Sequence, residues 1–334
     1  MSSTAQGALL PAPDQVETAA GAARRGAARR RRGPREKYNR REILAAFLFI
    51  SPWIVGFLIF TVVSMTYSLV LSFTNYDLVT NTMNPSGIRN YEALVSDPKV
   101  LTSLGNTFTY AVMAVPLEIA VALLIAMLLN SVNRGAGLFR VIYYLPKMTP
   151  AVATAAVFLL LLNGNQGAIN KALAAIGIDG PQWLLDPAWV KPSIVIMAAW
   201  AVAGSAMIFL AALQSVPQEL YESAAIDGAG RLRQFVTITL PMISPTLFFI
   251  TITLTIASLQ VFDQAYLLFY RDASSAAPDA ALFFGVYLYQ QAFQQFNFGL
   301  AAAMAWLLFL IILVITIVQL KVGNRMVYYE GGAR

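Results

Sequence analysis

The sequence predicts an all-α integral membrane protein with six transmembrane helices and both termini in the cytoplasm. Three observations carry that prediction. First, 58% of the 334 residues are hydrophobic and only 12% are charged, about half the charge of an ordinary soluble domain, too little to cover a water-facing surface. Second, six segments are apolar over the roughly 20 residues that a helix needs to cross a bilayer: about 43–73, 104–130, 141–163, 191–214, 243–270 and 296–320. Third, with the N-terminus inside, the inner segments hold 17 Lys and Arg and the outer ones 4, the bias of cytoplasmic loops.

Residues 1–42 form a basic tail, rich in Ala, Gly and Arg and poor in large apolar residues. This composition predicts disorder and an inner topology anchor beside the lipid surface, with no nucleic-acid role. The first span and an external loop follow over 43–103, a core domain over 104–322, and a short cytoplasmic tail over 323–334. Pro52, Pro116, Pro146 and Pro150 fall within or at the ends of spans, where neighbouring helices can satisfy the freed backbone groups, so kinks and not breaks are expected. The patch 282–295, LFFGVYLYQQAFQQ, is shorter and reads as an interfacial helix leading into the last span.

The chain contains neither Cys nor His. That removes the usual zinc, haem and thiol or imidazole nucleophile sites and with them most enzyme classes. No G-x-x-x-x-G-K-[ST] phosphate loop occurs. The chain is expected to be no enzyme, to bind no cofactor or metal, and to hydrolyse no ATP itself.

One stretch does not fit a bilayer. Residues 221–241 read YESAAIDGAGRLRQFVTITLP, between the fourth and fifth spans and on the cytoplasmic side. Pro217, Glu219 and Glu222 suit a helix N-terminus. Gly228 and Gly230 can end that helix by adopting a positive φ. Leu232, Phe235 and Val236 are spaced to share one face of a second helix, which Leu240 and Pro241 close. The pattern predicts a helix–turn–helix elbow on the membrane surface over 215–241.

This stretch resembles the EAA loop of ATP-binding-cassette importer permeases, matching its pattern at Glu222, Ala224, Asp227, Gly228, Ala229, Phe235, Ile238, Leu240 and Pro241, with Ser223 where Ala is usual. Further stretches, GIRNYEALVSDPKVLTSLGNTFTY, GLFRVIYYLP, LQSVPQELYE and SLQVFDQAYLL, are similar to the maltose- and glycerol-phosphate-type sugar permeases, so that the likeness covers about 40–322. The resemblance implies a type I importer permease fold and a loop that docks on a separate ATPase. Glu222, Ala224, Asp227, Gly228 and Ala229 would be its coupling residues. The partners it implies are two ATPase subunits, which hold the ATP and Mg, a second and related permease chain, and an extracytoplasmic solute-binding protein. Residues 74–103 are short beside the maltose-type subunit with its large external insertion.

Ionisable groups inside a bilayer are costly and mark functional positions. Glu118, Lys147 and Asp263 are three such groups. Span five adds Ser258, Gln260 and Gln264, and Phe262, Tyr266 and Trp200 offer rings for stacking on sugars. By the family resemblance, the substrate pathway is expected at Trp200, Ser205, Ser258, Gln260 and Asp263, while Ala203 and Gly204 are expected at helix contacts. The alternative is an ion-coupled secondary transporter with Glu118, Asp263 and Lys147 as a relay; it would carry internal repeats, and none is evident. Which sugar is carried is left open.

Overall fold

The computed structural model describes residues 40–77, 80, 82–132, 134–270 and 278–326. Most of the basic tail and residues 327–334 therefore lie outside the described residues. Two compact units are distinguished, residues 1–64 and 65–334.

The first apolar run forms one 29-residue helix, α1 (Leu44–Ser72). Pro52 sits inside its first half, and the turns widen to an i→i+5 pattern at Phe57–Val63. Early in it, Trp53 and Phe57, one turn apart, stack with centroids 5.5 Å apart. Its end passes into a small antiparallel hairpin, β1 (Thr74–Asp77) and β2 (Thr82–Pro85), with Thr74 opposite Pro85. This hairpin departs from a purely helical chain. α2 (Arg89–Ser96) follows and holds the hairpin root: Asn90 Nδ2 donates to the Ser72 and Thr74 carbonyls at 2.9 and 3.0 Å.

α3 (Pro98–Ser131) is 34 residues long, about 50 Å at 1.5 Å per residue. It starts where Asp97 caps it, accepting from Lys99 N at 2.9 Å, with Pro98 in the first turn. Ser103, Asn106, Tyr110, Ala114, Glu118, Ala122, Ala126 and Leu129 recur every three or four residues, and all are buried. That stripe makes α3 the central helix of its unit, in contact with six others.

The third span is a break and not a kink. α4 (Ala136–Met148) and α5 (Ala151–Leu161) meet at 94°. Pro150 has no N–H to donate and forces extended backbone on the residue before it. Thr149 accordingly has φ −74° and ψ 131°, so the helix stops and restarts. A short helix α6 (Ala168–Ala175) leads on to a second capped start at Asp186, which accepts from Ala188 N at 2.9 Å. α7 (Pro187–Trp200) and α8 (Ala203–Ser215) then meet at 51°. The fifth run, Ser244–Phe269, divides into α11 (Ser244–Leu259) and α12 (Asp263–Phe269), with α9 and α10 in the elbow before it, Gln218–Ile226 and Arg231–Gln234. Among the described residues, four helices are long and apolar enough to span, and the number reaches six with each bent pair as one crossing.

Most of the patch read as an interfacial helix is instead buried, and residues 293–295 at its end are exposed. α13 (Phe284–Tyr289) and the wide turn Gln290–Gln294 pack against α3 and against α14 (Phe298–Met326), the last helix. Phe283, Phe284 and Val286 are fully enclosed. An interfacial helix needs a strongly polar face, and LFFGVYLY has none. Side chains of α3 hold the segment by its backbone: Asn106 Nδ2 donates to the Asp279 and Leu282 carbonyls at 2.8 and 2.9 Å. Thr107 Oγ1 accepts from Phe284 N at 2.9 Å. The Tyr287 hydroxyl donates to Asp97, and burial, with that carboxylate beside it, pushes the hydroxyl up to about 12. α14 begins against the hairpin. A Cβ at Gly299 would lie 2.1 Å from the Thr74 carbonyl oxygen, so no larger residue fits.

Candidate functional site

Two places gather the residues singled out in the sequence. The first is a cavity of about 440 Å³ between α3, α4, α7, α8, α11 and α12. Glu118 faces it from α3 and Lys147 from the last turn of α4. Ser205 comes from α8, Ser258 from α11, Gln260 from the interruption that follows and Asp263 from the start of α12. Five of the six groups come from just beside a break in a span. At the second break, Ala201 N reaches back to Ala198 O at 3.0 Å and α8 restarts at Ala203. At the third, Val261 N reaches Ser258 O only at 3.4 Å, and Phe262 adopts φ −141° and ψ −63°. Irregular backbone at membrane depth is tolerated where it lines a cavity, and half-helix ends deliver dipoles and polar side chains to that depth.

The cavity thus holds two carboxylates, one ammonium, the hydroxyls of Ser205, Ser258 and Tyr110, and two carboxamides, Gln260 and Gln264. Tyr110, eight residues before Glu118 on α3, also lines it and was not foreseen. Its signal was membership of the α3 stripe. Gly204, expected at a helix contact, faces the cavity too, with Lys147 Cε 4.0 Å from where its Cβ would be. Trp200 does not join this set. It lies in a neighbouring apolar cavity of about 430 Å³ with Val121, Tyr143 and Phe158, its ring edge-on to Phe158 at 6.4 Å.

The second place is the elbow. α9 ends as the glycine predicts: Gly228 has φ +75°, its N–H bonds Ala225 O at 3.1 Å, and Ala229 N bonds Ala224 O at 2.9 Å. These paired reverse bonds are the Schellman closure, which needs a left-handed residue at this position. Gly230 does not share the role; its φ of −68° is open to any residue. Asp227 is the C-terminal cap residue and is exposed, as are Glu222 and Gly228, while Ala224 and Ala229 are half-buried. α10 continues through the wide turn Phe235–Thr239 into Leu240–Met242. The three apolar residues expected on one face separate: Leu232 and Val236 are exposed, whereas Phe235 turns inward beside Tyr221. Inside the elbow, the Tyr221 and Thr239 hydroxyls are 2.8 Å apart, and Gln234 Nε2 donates to Ala229 O at 3.0 Å. Outside it, Ile226 is 88% and Leu232 78% exposed, the barest of several apolar side chains on the elbow, among them Val236 and Leu220.

Residues 118–328 match the family described as binding-protein-dependent transport system inner membrane component. The chain belongs to that family. It is a multi-pass protein of the inner (plasma) membrane and a transporter subunit. The probable ABC transporter permease YesP of Bacillus subtilis is 38% identical over 87% of this chain and 94% of its own length. The lactose transport permease LacF of Rhizobium radiobacter is 35% identical over 82% and 92%, and the trehalose/maltose permease MalF of Thermococcus litoralis 32% over 86% and 96%. Among solved structures, a bacterial alginate ABC transporter in complex with an alginate pentasaccharide-bound periplasmic protein superposes with a TM-score of 0.73 at 26% identity, covering 86% of this chain and 95% of that one. The fold is that of an ABC importer permease. The family and these relatives favour the importer over the ion-coupled relay.

Proposed function

We propose that this chain is the permease subunit of an ATP-driven importer that moves a sugar or sugar-like solute into the cell by alternating access. The observation that carries the reading is the joint presence of a polar cavity built at span breaks and a separate, rigidly closed elbow with bare apolar side chains. Relatives named for lactose, for trehalose and maltose and for arabinooligosaccharides support the sugar class.

Ser205, Ser258, Gln260 and Asp263 form hydrogen bonds with the hydroxyls of the solute. Planar amides and carboxylates suit the paired donors and acceptors of adjacent sugar hydroxyls. Lys147 and Glu118 complete the polar lining. Trp200 contributes from the adjoining apolar cavity. At the elbow, Glu222, Ala224, Asp227, Gly228 and Ala229 form the coupling surface on a partner ATPase, which binds the ATP and Mg. A hydrophobic patch inside a polar rim is the anatomy of a docking interface.

One chain presents one elbow. Two ATPase subunits therefore require a second, related permease chain, and a solute-binding protein delivers cargo from outside. ATP closure of the ATPases pulls on the elbows and reorients the spans around the cavity. The test is affinity purification of the tagged full-length chain in mild detergent, from cells carrying the whole transporter. Recovery of an ATPase and a second permease chain supports the reading; recovery of the chain alone with solute uptake intact and ATP-independent overturns it.

A further inference from the structure

Four aromatic rings form a set beside the polar cavity, which Phe262 lines; the sequence points to Phe262 and Tyr266 as rings for stacking, and the fold adds Tyr289 and Phe293 to them. Phe262 lies in the third span break and Tyr266 on α12; Tyr289 closes α13 and Phe293 follows one turn later. Their centroids form a connected set: Phe262–Tyr266 at 5.3 Å, Phe262–Tyr289 at 5.2 Å, Tyr266–Tyr289 at 5.0 Å and Tyr289–Phe293 at 5.1 Å. The same segment buries its structural aromatics completely, Phe283 and Phe284 at 0% exposure. By contrast, Phe262, Tyr266 and Tyr289 are only half-buried and Phe293 is 59% exposed.

Two further observations separate this set from an aromatic belt at a membrane interface, whose rings sit at the headgroup level to anchor the protein. The rings come from two separate elements and touch one another. Phe262 also lines the polar cavity, so the ring surface is continuous with it. Polar groups frame the rings as well: Tyr266 and Tyr289 each carry a hydroxyl, and Gln290 and Gln294 stand beside Tyr289 and Phe293 in the chain. Apolar ring faces edged by hydroxyl and carboxamide groups match a pyranose, which has an apolar C–H face and a rim of hydroxyls.

We infer that Phe262, Tyr266, Tyr289 and Phe293 form an entry subsite, on which one pyranose ring stacks before passing to the polar cavity. This rests on the sugar reading above. The ring held at Tyr289 and Phe293 hands over at Phe262, where Gln260 and Asp263 take up its hydroxyls. No covalent step is involved.

The test uses cells carrying the complete transporter and radiolabelled maltose, lactose and arabino-oligosaccharides as probes. Tyr289→Ala is expected to raise the KM for the transported sugar about fivefold to tenfold, the worth of a lost aromatic contact, with maximal rate and membrane level within about twofold. Tyr289→Phe keeps the ring and loses only the hydroxyl, and is expected to raise the KM less than Tyr289→Ala does. Phe293→Ala, at an exposed position that folding tolerates, shows the same rise and carries the test if Tyr289→Ala fails to accumulate. An unchanged KM in the accumulating alanine variants overturns the subsite while leaving the sugar reading intact. Failure of the wild type to take up any of the three sugars overturns both.

Discussion

The elbow and the cavity are built in opposite ways. The elbow is a contiguous run of chain, closed by its own backbone bonds around Gly228 and exposed at Glu222, Ile226, Asp227 and Gly228. The cavity gathers side chains from Tyr110 to Gln264, and it exists because the spans beneath it break. A local site is robust to changes elsewhere and sensitive to single residues. A site assembled from several helices spreads its function over many weak contacts and depends on the scaffold that holds the breaks in place.

Four variants set these two designs against each other, in falling order of effect. Gly228→Trp puts a bulky side chain on a left-handed residue and on the proposed coupling surface. Solute uptake is expected to fall about 100-fold, the scale of a docking hot spot, with membrane levels unchanged on immunoblots. Equal uptake would remove the elbow from the mechanism. Asp263→Asn keeps size and removes one cavity charge; a rise of about tenfold in the uptake KM is expected, with co-purified ATPase unchanged. A loss of ATPase binding there would mean that the two sites are not separable.

Asn106→Ala leaves the Asp279 and Leu282 carbonyls without their donor, a loss of about 1–3 kcal/mol read as a lower Tm of the purified protein. This variant tests the scaffold, because the buried segment it holds also carries Tyr289. Tyr221→Phe removes only the hydroxyl contact to Thr239 and is expected to cost about 1 kcal/mol, with uptake close to wild type. A larger fall in uptake than Asp263→Asn would show that the interior of the elbow transmits force and does not merely pack.

The same contrast explains what could be read in the sequence. Only the turn of the elbow was legible from neighbours in the chain: Gly228 ends α9 as expected, whereas Glu222 lies in the middle of that helix, Gly230 keeps an ordinary φ and Pro241 sits inside the continuing helical run. The six apolar runs were legible from length and composition. The helix starts at Asp97 and Asp186 were readable from Asp-Pro, but apolarity alone placed them several residues late. Pro150 was visible and its effect misjudged, because a proline alone does not say whether neighbours bridge the gap or leave a 94° break. The burial of most of 282–295 depended on Asn106 and Thr107, over 170 residues away in sequence. Glu118, Lys147 and Asp263 stood out singly by their cost in a bilayer, whereas their convergence, and that of Tyr110, required the fold.

The most direct measurement exploits a chain that contains no cysteine. Ile226→Cys places a single thiol on the most exposed apolar side chain of the elbow. In inverted membrane vesicles carrying the whole transporter, a short bifunctional crosslinker is expected to join this thiol to the ATPase subunit, with a yield that changes when ATP is added. Labelling of that thiol by an impermeant reagent applied to intact cells, with no ATPase adduct in vesicles, would contradict the account.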